Sequence, residues 1–380
     1  MHPTPDFFSI PVPPVADDLP LEPFAGEGAW YGPAMKQRAQ EWQMPFSEKQ
    51  IAVLRDAIES AEKAGLGPLD LTAANFPLPG WEDLFASTKK DLFEGRGFIL
   101  LRGFPVDELT ALQRAIGYFG IGAHLGRAVP QNAKGHAIGH ICDIGVDYTK
   151  TTGRGYQSNV KLNFHTDSTD IVGLLCVRHA KKGGASRIVS SATIYNEMLK
   201  RRPDLVRLLM GPIYRDRREE VPVGQGPWYC IPAFNPFRGR LFTTYVRSTV
   251  QKATRFTELP PISPELEEAM DLLESLAADP AYHLDMDFRP GDIQFLCNHF
   301  ILHGRTAYED YDEPAKRRHL LRLQLACPDG PALPPVYENL RGYDEHGRPQ
   351  GTRTPGVSLT APLEPIDGGP GAFEQRKRKE

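Results

Sequence analysis

Short apolar runs separated by turns constrain the fold of this chain more than any other feature. Between residues 97 and 326 they have the length of β-strands: GFILLRGF at 97–104, IVGLLCVRHA at 171–180, SRIVSSA at 186–192 and LLRLQLA at 320–326. Helical patterns gather before this region and in two insertions, about 190–210 and 263–279, so strands and helices do not alternate. We therefore predict a mainly β fold with flanking helices and an antiparallel, jelly-roll core.

The two ends of the chain differ in composition from its middle. Residues 1–45 are rich in proline, which neither continues a helix nor donates within a central strand. We expect them to form an extended arm on the surface or on a neighbouring subunit. Residues 328–380 are rich in proline and glycine and predict an irregular tail. This division leaves 46–327 as a single domain that contains both helical insertions.

Helical signals precede the first apolar run. Ser47 and Gln50 have the spacing of a capping box, and apolar residues then recur at helical spacing, which predicts a helix over 48–64. Similar patterns predict helices over 82–93 and near 107–118. We expect these helices to pack against the β core and to take no part in chemistry.

Composition narrows the class of partner. Hydrophobic residues make up 41% of the chain, charged residues make up 24%, and the formal net charge is -4, so no basic surplus indicates nucleic acid or an anionic membrane. The five cysteines are scattered and form no C-x-x-C pair, which is typical of a reducing cytoplasm. Neither a signal-peptide pattern nor an 18-residue apolar run occurs. We expect a cytoplasmic protein with a small-molecule partner.

The segment KLNFHTD, residues 161–167, holds the first candidate metal ligands. On a strand, side chains at positions i and i+2 point the same way, so His165 and Asp167 can converge on one ion. With 11 His and 48 acidic residues in the chain, an H-x-[DE] triple occurs about once by chance. A metal site therefore needs support from a second segment.

That support comes from His303, which lies in NHFILHGR after a strand-like run and before a glycine. Two histidines and one carboxylate on one face of a metal leave three positions open. Non-haem Fe(II) needs this arrangement to take a chelating cosubstrate and O₂ together. His165, Asp167 and His303 are our candidate ligands.

Other histidines are weaker candidates. His299 would form an H-x-x-x-H pair with His303, but Phe300 stands where zinc hydrolases of that pattern carry a general-base Glu. His136 and His140 are four residues apart, yet the glycines beside them favour a loop over the site rather than a helix face. We expect His136 and His140 to be structural or solvent-exposed.

The last strand-like run carries charge on one face. Alternation places two groups on opposite sides: Arg318, Leu320, Arg322 and Gln324 on one, and His319, Leu321, Leu323 and Leu325 on the other. The leucine face fits a core. Arginines are costly to bury, so the other face is solvent, a structural ion pair or the wall of an anion site. Alternation alone leaves these possibilities open.

Taken together, FHTD, the GGAS turn, PGDIQFLCNHFILHGRTAY and RRHLLR resemble the taurine dioxygenase (TauD/TfdA-like) family of Fe(II)- and 2-oxoglutarate-dependent oxygenases. The resemblance implies a double-stranded β-helix core with His165, Asp167 and His303 as iron ligands. It also implies that Arg318 binds the distal carboxylate of 2-oxoglutarate, with the Ser186 hydroxyl as a second contact where relatives often have Thr.

The resemblance implies a reaction as well. Such enzymes use Fe(II), O₂ and 2-oxoglutarate to hydroxylate a substrate C–H bond, with release of succinate and CO₂. The presence of Asp167 disfavours halogenation. Arg322 is similar to the arginine that meets the sulfonate in taurine dioxygenase, which suggests an anionic substrate, although a structural ion pair is equally open. Arg247 and Tyr229 are further candidate substrate contacts, with core packing as the alternative for the aromatic stretch.

Two other functional classes remain to be separated from this one. A cupin-like metal hydrolase or isomerase would use the same triad without 2-oxoglutarate and without a buried Arg318. A non-catalytic β-sandwich binding module would need no triad. The sequence is also compatible with a homo-oligomer.

Overall fold

The computed structural model describes residues 10–145, 155–222 and 224–365. Within these ranges most strands are short, as the turn spacing predicts. In chain order they are β1 Gln43–Pro45, β2 Phe98–Arg102, β3 Arg127–Ala128, β4 Ile138–Ile141, β5 Leu162–His165, β6 Ile171–Arg178, β7 Lys182–Gly183, β8 Ser186–Ser190, β9 Tyr214–Asp216, β10 Trp228–Cys230, β11 Phe234–Phe237, β12 Arg240–Thr243, β13 Leu284–Met286, β14 Ile293–Cys297, β15 Ile301–Arg305, β16 Tyr308–Glu309 and β17 His319–Ala326.

The helices surround these strands and lie where the sequence patterns place most of them. In chain order they are α1 Gly32–Gln37, α2 Ala39–Trp42, α3 Glu48–Lys63, α4 Glu82–Phe93, α5 Ala111–Ala123, α6 Ser191–Arg201, α7 Pro203–Met210, α8 Arg247–Ala253, α9 Pro264–Ala278 and α10 Glu338–Arg341. Helices α6, α7 and α9 are the two expected insertions.

Two sheets form the centre of the fold. The larger has the strand order β1-β2-β14-β6-β17-β3, with β4 also paired to β17, and the smaller has the order β13-β8-β15-β5. Every pairing within them is antiparallel except that of β1 with β2. The expected antiparallel core is therefore confirmed.

An apolar layer joins the two sheets. Val172 and Leu296 of the larger sheet pack in one buried cluster with Ile188, Met286 and Ile301 of the smaller sheet. Two antiparallel sheets closed over a shared core make the double-stranded β-helix, so the predicted fold class is confirmed.

Helices cover the outer face of the larger sheet. Leu321, Leu323 and Leu325 of β17 share a buried cluster with Ile58 of α3 and Ile116 of α5. The leucine face of the last strand is therefore a core face, as alternation predicts. The arginine face of β17 consequently points toward the space between the two sheets.

Local capping explains where the N-terminal helices begin. At α3 the Ser47 hydroxyl accepts from the Gln50 N–H at 3.2 Å, and the Gln50 side chain accepts from the Ser47 N–H at 2.9 Å, which confirms the predicted capping box. The same reciprocal pair joins Thr110 and Gln113 before α5. That box starts α5 at Ala111, four residues later than predicted, and the helix continues to Ala123.

An extended N-terminal arm was expected over residues 1–45, of which residues 1–9 lie outside the described part of the chain. Residues 10–29 are extended on the surface, where the side chain of Asn196 both donates to and accepts from the backbone of Phe24. Residues 32–45 instead form α1, α2 and β1, and β1 joins the larger sheet beside β2. Trp30 and Trp42 pack on Phe98, so apolar burial outweighs the proline content here.

The described part of the C-terminal segment is mostly irregular and packs against the core. Among residues 328–365 only α10 and a short 3₁₀ turn are regular. Tyr337 and Leu340 nevertheless belong to the main core, and Arg348 forms a buried ion pair with Asp170. The rest of the predicted tail, 366–380, lies outside the described residues. No helix in the described part of the chain is long and apolar enough to cross a membrane.

Candidate active site

Neighbouring strands of the smaller sheet bring the three candidate ligands together. His165 ends β5, and His303 lies directly opposite it on β15. Asp167 follows two residues after His165. One ligand atom from each of the three side chains lies within 4.8 Å of the other two, and no other such cluster occurs among the described residues. The strand register thus juxtaposes side chains from the two sequence segments.

Hydrogen bonds fix the side chain of His165 and the backbone of Asp167. The Nδ1 atom of His165 lies 2.8 Å from the Asn163 carbonyl, which leaves Nε2 for a metal. Asn298 holds the next ligand: its Oδ1 accepts from the Asp167 N–H at 2.7 Å, and its Nδ2 donates to the Asp167 carbonyl. The sequence analysis missed Asn298, because an amide gives no charge or periodicity signal.

Burial and charge keep the triad in the protonation states that a metal requires. Burial, reinforced by the neighbouring His165, lowers the pKa of His303 to about 3. Burial also lowers the pKa of His165. Burial alone would raise the pKa of Asp167, but the charge of Arg322, with smaller contributions from the neighbouring His303 and His165, outweighs it and lowers that pKa. Neutral imidazoles and an ionised carboxylate fit Fe(II).

Arg318 lies immediately before β17 and faces the same cavity as the triad. The cavity has a volume of about 690 Å³ and is lined by Arg318, Ser186 and all three candidate ligands. Arg318 is only 4% exposed, and its Nη1 has no hydrogen-bond partner among the described residues. Burial lowers its pKa. A buried guanidinium with an unsatisfied N–H is suited to a ligand carboxylate.

The surroundings of Arg318 orient its guanidinium. The group lies over the Tyr308 ring, 5.1 Å from its centroid, and the Arg318 backbone N–H donates to Asp310 at 2.7 Å. A Cβ at Gly184 would lie 3.0 Å from Nε of Arg318, so the GGAS turn packs directly against this side chain. The turn also places Ser186 at the start of β8 on the cavity wall.

Arg322 forms the structural ion pair that the sequence left open. Its Nη1 lies 3.0 Å from Oδ2 of Asp167, and its Nε donates to Gln131 at 2.7 Å. The guanidinium also lies 4.7 Å from the ring centroid of Tyr156. Arg322 lines the cavity, so the ion pair does not remove it from the substrate space.

The two weaker substrate candidates have different surroundings. Arg247 lines the cavity, but its guanidinium pairs with Glu267 at 2.6 Å, Asp271 at 2.6 Å and Glu274 at 3.4 Å. These three carboxylates offset the charge of Arg247, and its role as a substrate contact stays a prediction. Tyr229 belongs to the main core while one part of it lines the cavity. Core packing accounts for part of Tyr229, and its contact with a substrate stays a prediction.

The other histidines do not join the triad. Nε2 of His299 lies 2.8 Å from Oδ1 of Asp170, in a buried network on the far side of the hairpin. His140 lies on β4 rather than in the predicted loop, with Nδ1 2.8 Å from Nε2 of His319. His136 pairs with Thr360 in an isolated bridge. His140 therefore lies on a strand, and His136 lies two residues before that strand begins.

Comparison with known proteins agrees with this geometry. The model of the family "Taurine catabolism dioxygenase TauD, TfdA family" matches residues 62–324. The chain is 33% identical over 318 residues to the FR-33289 synthase of Streptomyces rubellomurinus, which covers 82% of this chain and 93% of that protein. It is 30% identical over 307 residues to the taurine hydroxylase-like protein SAT17 of Stachybotrys chartarum, which covers 78% of each.

The chain is also similar, more distantly, to a nucleotide dioxygenase in sequence and to a solved oxygenase in fold. The uridine-5'-phosphate dioxygenase of an Amycolatopsis species is 30% identical over 183 residues, covering 45% of this chain and 63% of that protein. An asparagine oxygenase, solved with Fe(II), hydroxyasparagine and succinate, superposes with a TM-score of 0.58 at 17% identity, covering 75% of this chain and 93% of that one. The chain therefore belongs to the TauD, TfdA family and is an Fe(II)- and 2-oxoglutarate-dependent oxygenase.

Proposed function

We propose that this oxygenase hydroxylates a C–H bond of a small anionic organic molecule. In this proposal His165, Asp167 and His303 hold the iron, and Arg318 and Ser186 hold the distal carboxylate of 2-oxoglutarate. The observation that carries it is the shared cavity: the triad and the buried guanidinium of Arg318 line one space of about 690 Å³. A cupin-like hydrolase or isomerase without 2-oxoglutarate would have no use for that guanidinium.

The chain's own residues would position the reactants. When bound, iron supplies the redox chemistry that couples O₂ and 2-oxoglutarate to oxidation of a C–H bond. Arg318 binds one end of the cosubstrate through two parallel charge-assisted hydrogen bonds, which sets its direction in the cavity. Leu174, Leu320 and Ile141 line the same cavity and exclude water around the cosubstrate.

The anionic substrate is supported by the charges of the cavity wall. Cations outnumber carboxylates on this wall: Lys161, Arg218, Arg247, Lys252, Arg305, Arg318 and Arg322 line it with Asp167, Asp216, Asp271 and Glu274. The uridine-5'-phosphate dioxygenase named above points the same way, because its substrate carries a phosphate. A cytoplasmic location and a homo-oligomeric state remain predictions from the sequence.

The test is turnover of 2-oxoglutarate with added Fe(II), scored as succinate release. Arg318→Lys keeps the charge but loses the planar fork, so it should raise KM for 2-oxoglutarate. Arg318→Ala should raise it further, by about 2–5 kcal/mol in binding free energy. Lys316→Ala removes a nearby cation whose ion pair is exposed, and serves as the matched control. A wild-type KM in Arg318→Ala would refute the assignment.

A further inference from the structure

We propose that Arg305 is a positioning residue that couples the binding of 2-oxoglutarate to one side of the cavity. That side is formed by residues 155–161, which precede β5 and which we call the 155–161 segment. The inference rests on the proposed function, because it takes Arg318 as the receptor of the distal carboxylate. Arg305 acts through Arg318 and through the 155–161 segment, and not on the reacting atoms.

Arg305 lies at the cosubstrate end of the cavity. It ends β15, two residues after His303, and it is directly opposite Ser186 where β15 pairs with β8. Its side chain lines the cavity, although the residue is only 4% exposed. A guanidinium carries several N–H donors, so a buried arginine at this place needs several acceptors.

Two of those acceptors belong to the 155–161 segment. Nη2 of Arg305 donates to the carbonyl of Ser158 at 2.9 Å and also to the carbonyl of Val160. Between them, the carbonyl of Asn159 accepts from the Tyr308 N–H at 3.1 Å. Three consecutive carbonyls of the segment are therefore held by Arg305 and by a residue three positions after it.

The ring of Tyr308 connects Arg305 to Arg318. Cζ of Arg305 lies 4.7 Å from the ring centroid, and Cζ of Arg318 lies 5.1 Å from the same centroid. Tyr308 is buried, and its backbone pairs with Gly183 of the GGAS turn. Each guanidinium is attracted to the ring, while the two like charges repel each other in a buried site.

This repulsion is the physical basis of the coupling. A carboxylate bound by Arg318 offsets its charge, so the same binding event stabilises Arg305 and the carbonyls that it holds. Because coupling between two sites is reciprocal, a well-held 155–161 segment also favours 2-oxoglutarate. The segment carries Tyr156, whose ring centroid lies 4.7 Å from Cζ of Arg322. The coupling therefore reaches a candidate substrate contact.

One atom of Arg305 distinguishes this role from that of a structural clamp. Nη1 is buried and has no hydrogen-bond partner among the described residues. A buried N–H without a partner lowers stability, so an arginine that served the fold alone would have its donors satisfied. The unsatisfied donor instead fits a residue whose surroundings are completed when the cavity is occupied.

The experiment is hydrogen–deuterium exchange of the backbone amides of residues 155–161, with and without saturating 2-oxoglutarate, on the anaerobic iron-loaded protein. We expect 2-oxoglutarate to slow this exchange in the wild type, and Arg305→Ala to lose most of that protection. Arg305→Lys keeps the charge without the planar fork and should keep part of it. Calorimetry of the same samples should show a Kd for 2-oxoglutarate raised roughly 2–30-fold in Arg305→Ala, the range of a cation–π contact.

Three outcomes decide between the possibilities. Unchanged protection in Arg305→Ala overturns the inference. So does a wild type that binds 2-oxoglutarate without any slowing of exchange in the 155–161 segment. A wild type that does not bind 2-oxoglutarate would instead refute the proposed function.

Variants of Tyr308 test the coupling while the side chain of Arg305 stays in place. Tyr308→Leu removes the ring and should lose the protection, whereas Tyr308→Phe retains the ring and should keep it. The Tyr308 hydroxyl is buried without a partner among the described residues, so its removal costs little. Arg187→Ala is the matched control, because Arg187 follows Ser186 on β8 and pairs with the exposed Asp285 at 2.7 Å. Equal protection in Tyr308→Leu and Tyr308→Phe overturns the inference even if Arg305→Ala does not fold.

Discussion

His303 and His299 are four residues apart, and their surroundings differ completely. The ring of His303 lies 4.4 Å from that of His165, centroid to centroid, on the wall of the large cavity. His299 packs against Phe242 and Tyr337, and its Nε2 meets Asp170. One histidine therefore belongs to a cavity and the other to a packed interior.

The same contrast extends to whole groups of residues. The cavity group, which consists of His165, Asp167, His303, Arg318 and Ser186, contains buried polar atoms that a ligand must satisfy, such as Nη1 of Arg318. The buried network, which consists of Asp170, His299, Arg348 and the backbone of Cys327, satisfies its carboxylate from within: both oxygens of Asp170 accept hydrogen bonds from Arg348.

This difference separates the residues that stabilise the fold from the residues that bind ligands. An unsatisfied buried polar group lowers stability, whereas a fully hydrogen-bonded buried ion pair becomes costly only when one partner is removed. Substitutions in the cavity group should therefore change ligand binding, and substitutions in the buried network should change the free energy of unfolding. The following predictions test that separation.

The largest expected effect is that of His303→Ala. Loss of one of the three proposed ligands should abolish iron binding and 2-oxoglutarate turnover, while the iron-free protein keeps a melting temperature close to that of the wild type. Metal content after anaerobic reconstitution, succinate release and thermal unfolding of the iron-free protein measure the three quantities. If His303→Ala keeps its iron while His299→Ala loses it, then His299 is the ligand and our assignment of the two histidines is wrong.

The second prediction concerns the buried network, where a substitution should change the free energy of unfolding. Arg348→Ala leaves Asp170 buried without its main partner, so it should lower the free energy of unfolding by about 3–5 kcal/mol. Lys89→Ala is the control, because it breaks an exposed ion pair with Asp329 of the same C-terminal segment and should cost at most about 1 kcal/mol. Denaturant unfolding measures both. Equal losses in the two variants would contradict a special role for the network.

The residues of the cavity group could be predicted from the sequence because the patterns that mark them are local. Alternation on a strand aligns His165 with Asp167 and orients Arg318 and Arg322, and capping boxes mark helix starts. His303 was indicated by its place between a strand-like run and a glycine, and the family motifs then supplied Ser186 and the role of Arg318. These are properties of a few consecutive residues or of a known spacing, so a single sequence contains them.

The buried network gave no such signal. Arg348 and Asp170 are 178 positions apart, and Asn298 and Asp167 are 131 apart. Both pairs involve the segment between β5 and β6, which meets the C-terminal segment at Arg348 and the β14–β15 turn at Asn298. The ion pair of Arg322 with Asp167 spans 155 positions and was one of the open alternatives for the same reason. Contacts of this kind follow from topology, which composition and periodicity do not specify.

The third prediction separates backbone strain from cosubstrate binding. Gly184 has φ +73° and Gly239 has φ +75°, so alanine at either position should cost about 1–2 kcal/mol of stability. Only at Gly184 would the new Cβ meet Arg318, whereas nothing lies within 4 Å at Gly239. Gly184→Ala should therefore also raise KM for 2-oxoglutarate several-fold. A similar rise in KM for Gly239→Ala would assign the effect to strain alone.

The smallest expected effect is that of Ser186, which tests whether the cavity group reaches the start of β8. If its hydroxyl donates to the distal carboxylate beside Arg318, Ser186→Ala removes one hydrogen bond to a charged group, worth about 1.5–3 kcal/mol at most. Because Arg318 remains as the main partner, we expect the lower end of that range, about a tenfold rise in KM for 2-oxoglutarate. Ser186→Thr keeps the hydroxyl and should stay near the wild-type KM. Stability should change little in either variant, since Ser186 lines the cavity. A fall in unfolding free energy with an unchanged KM would instead place Ser186 with the packed interior.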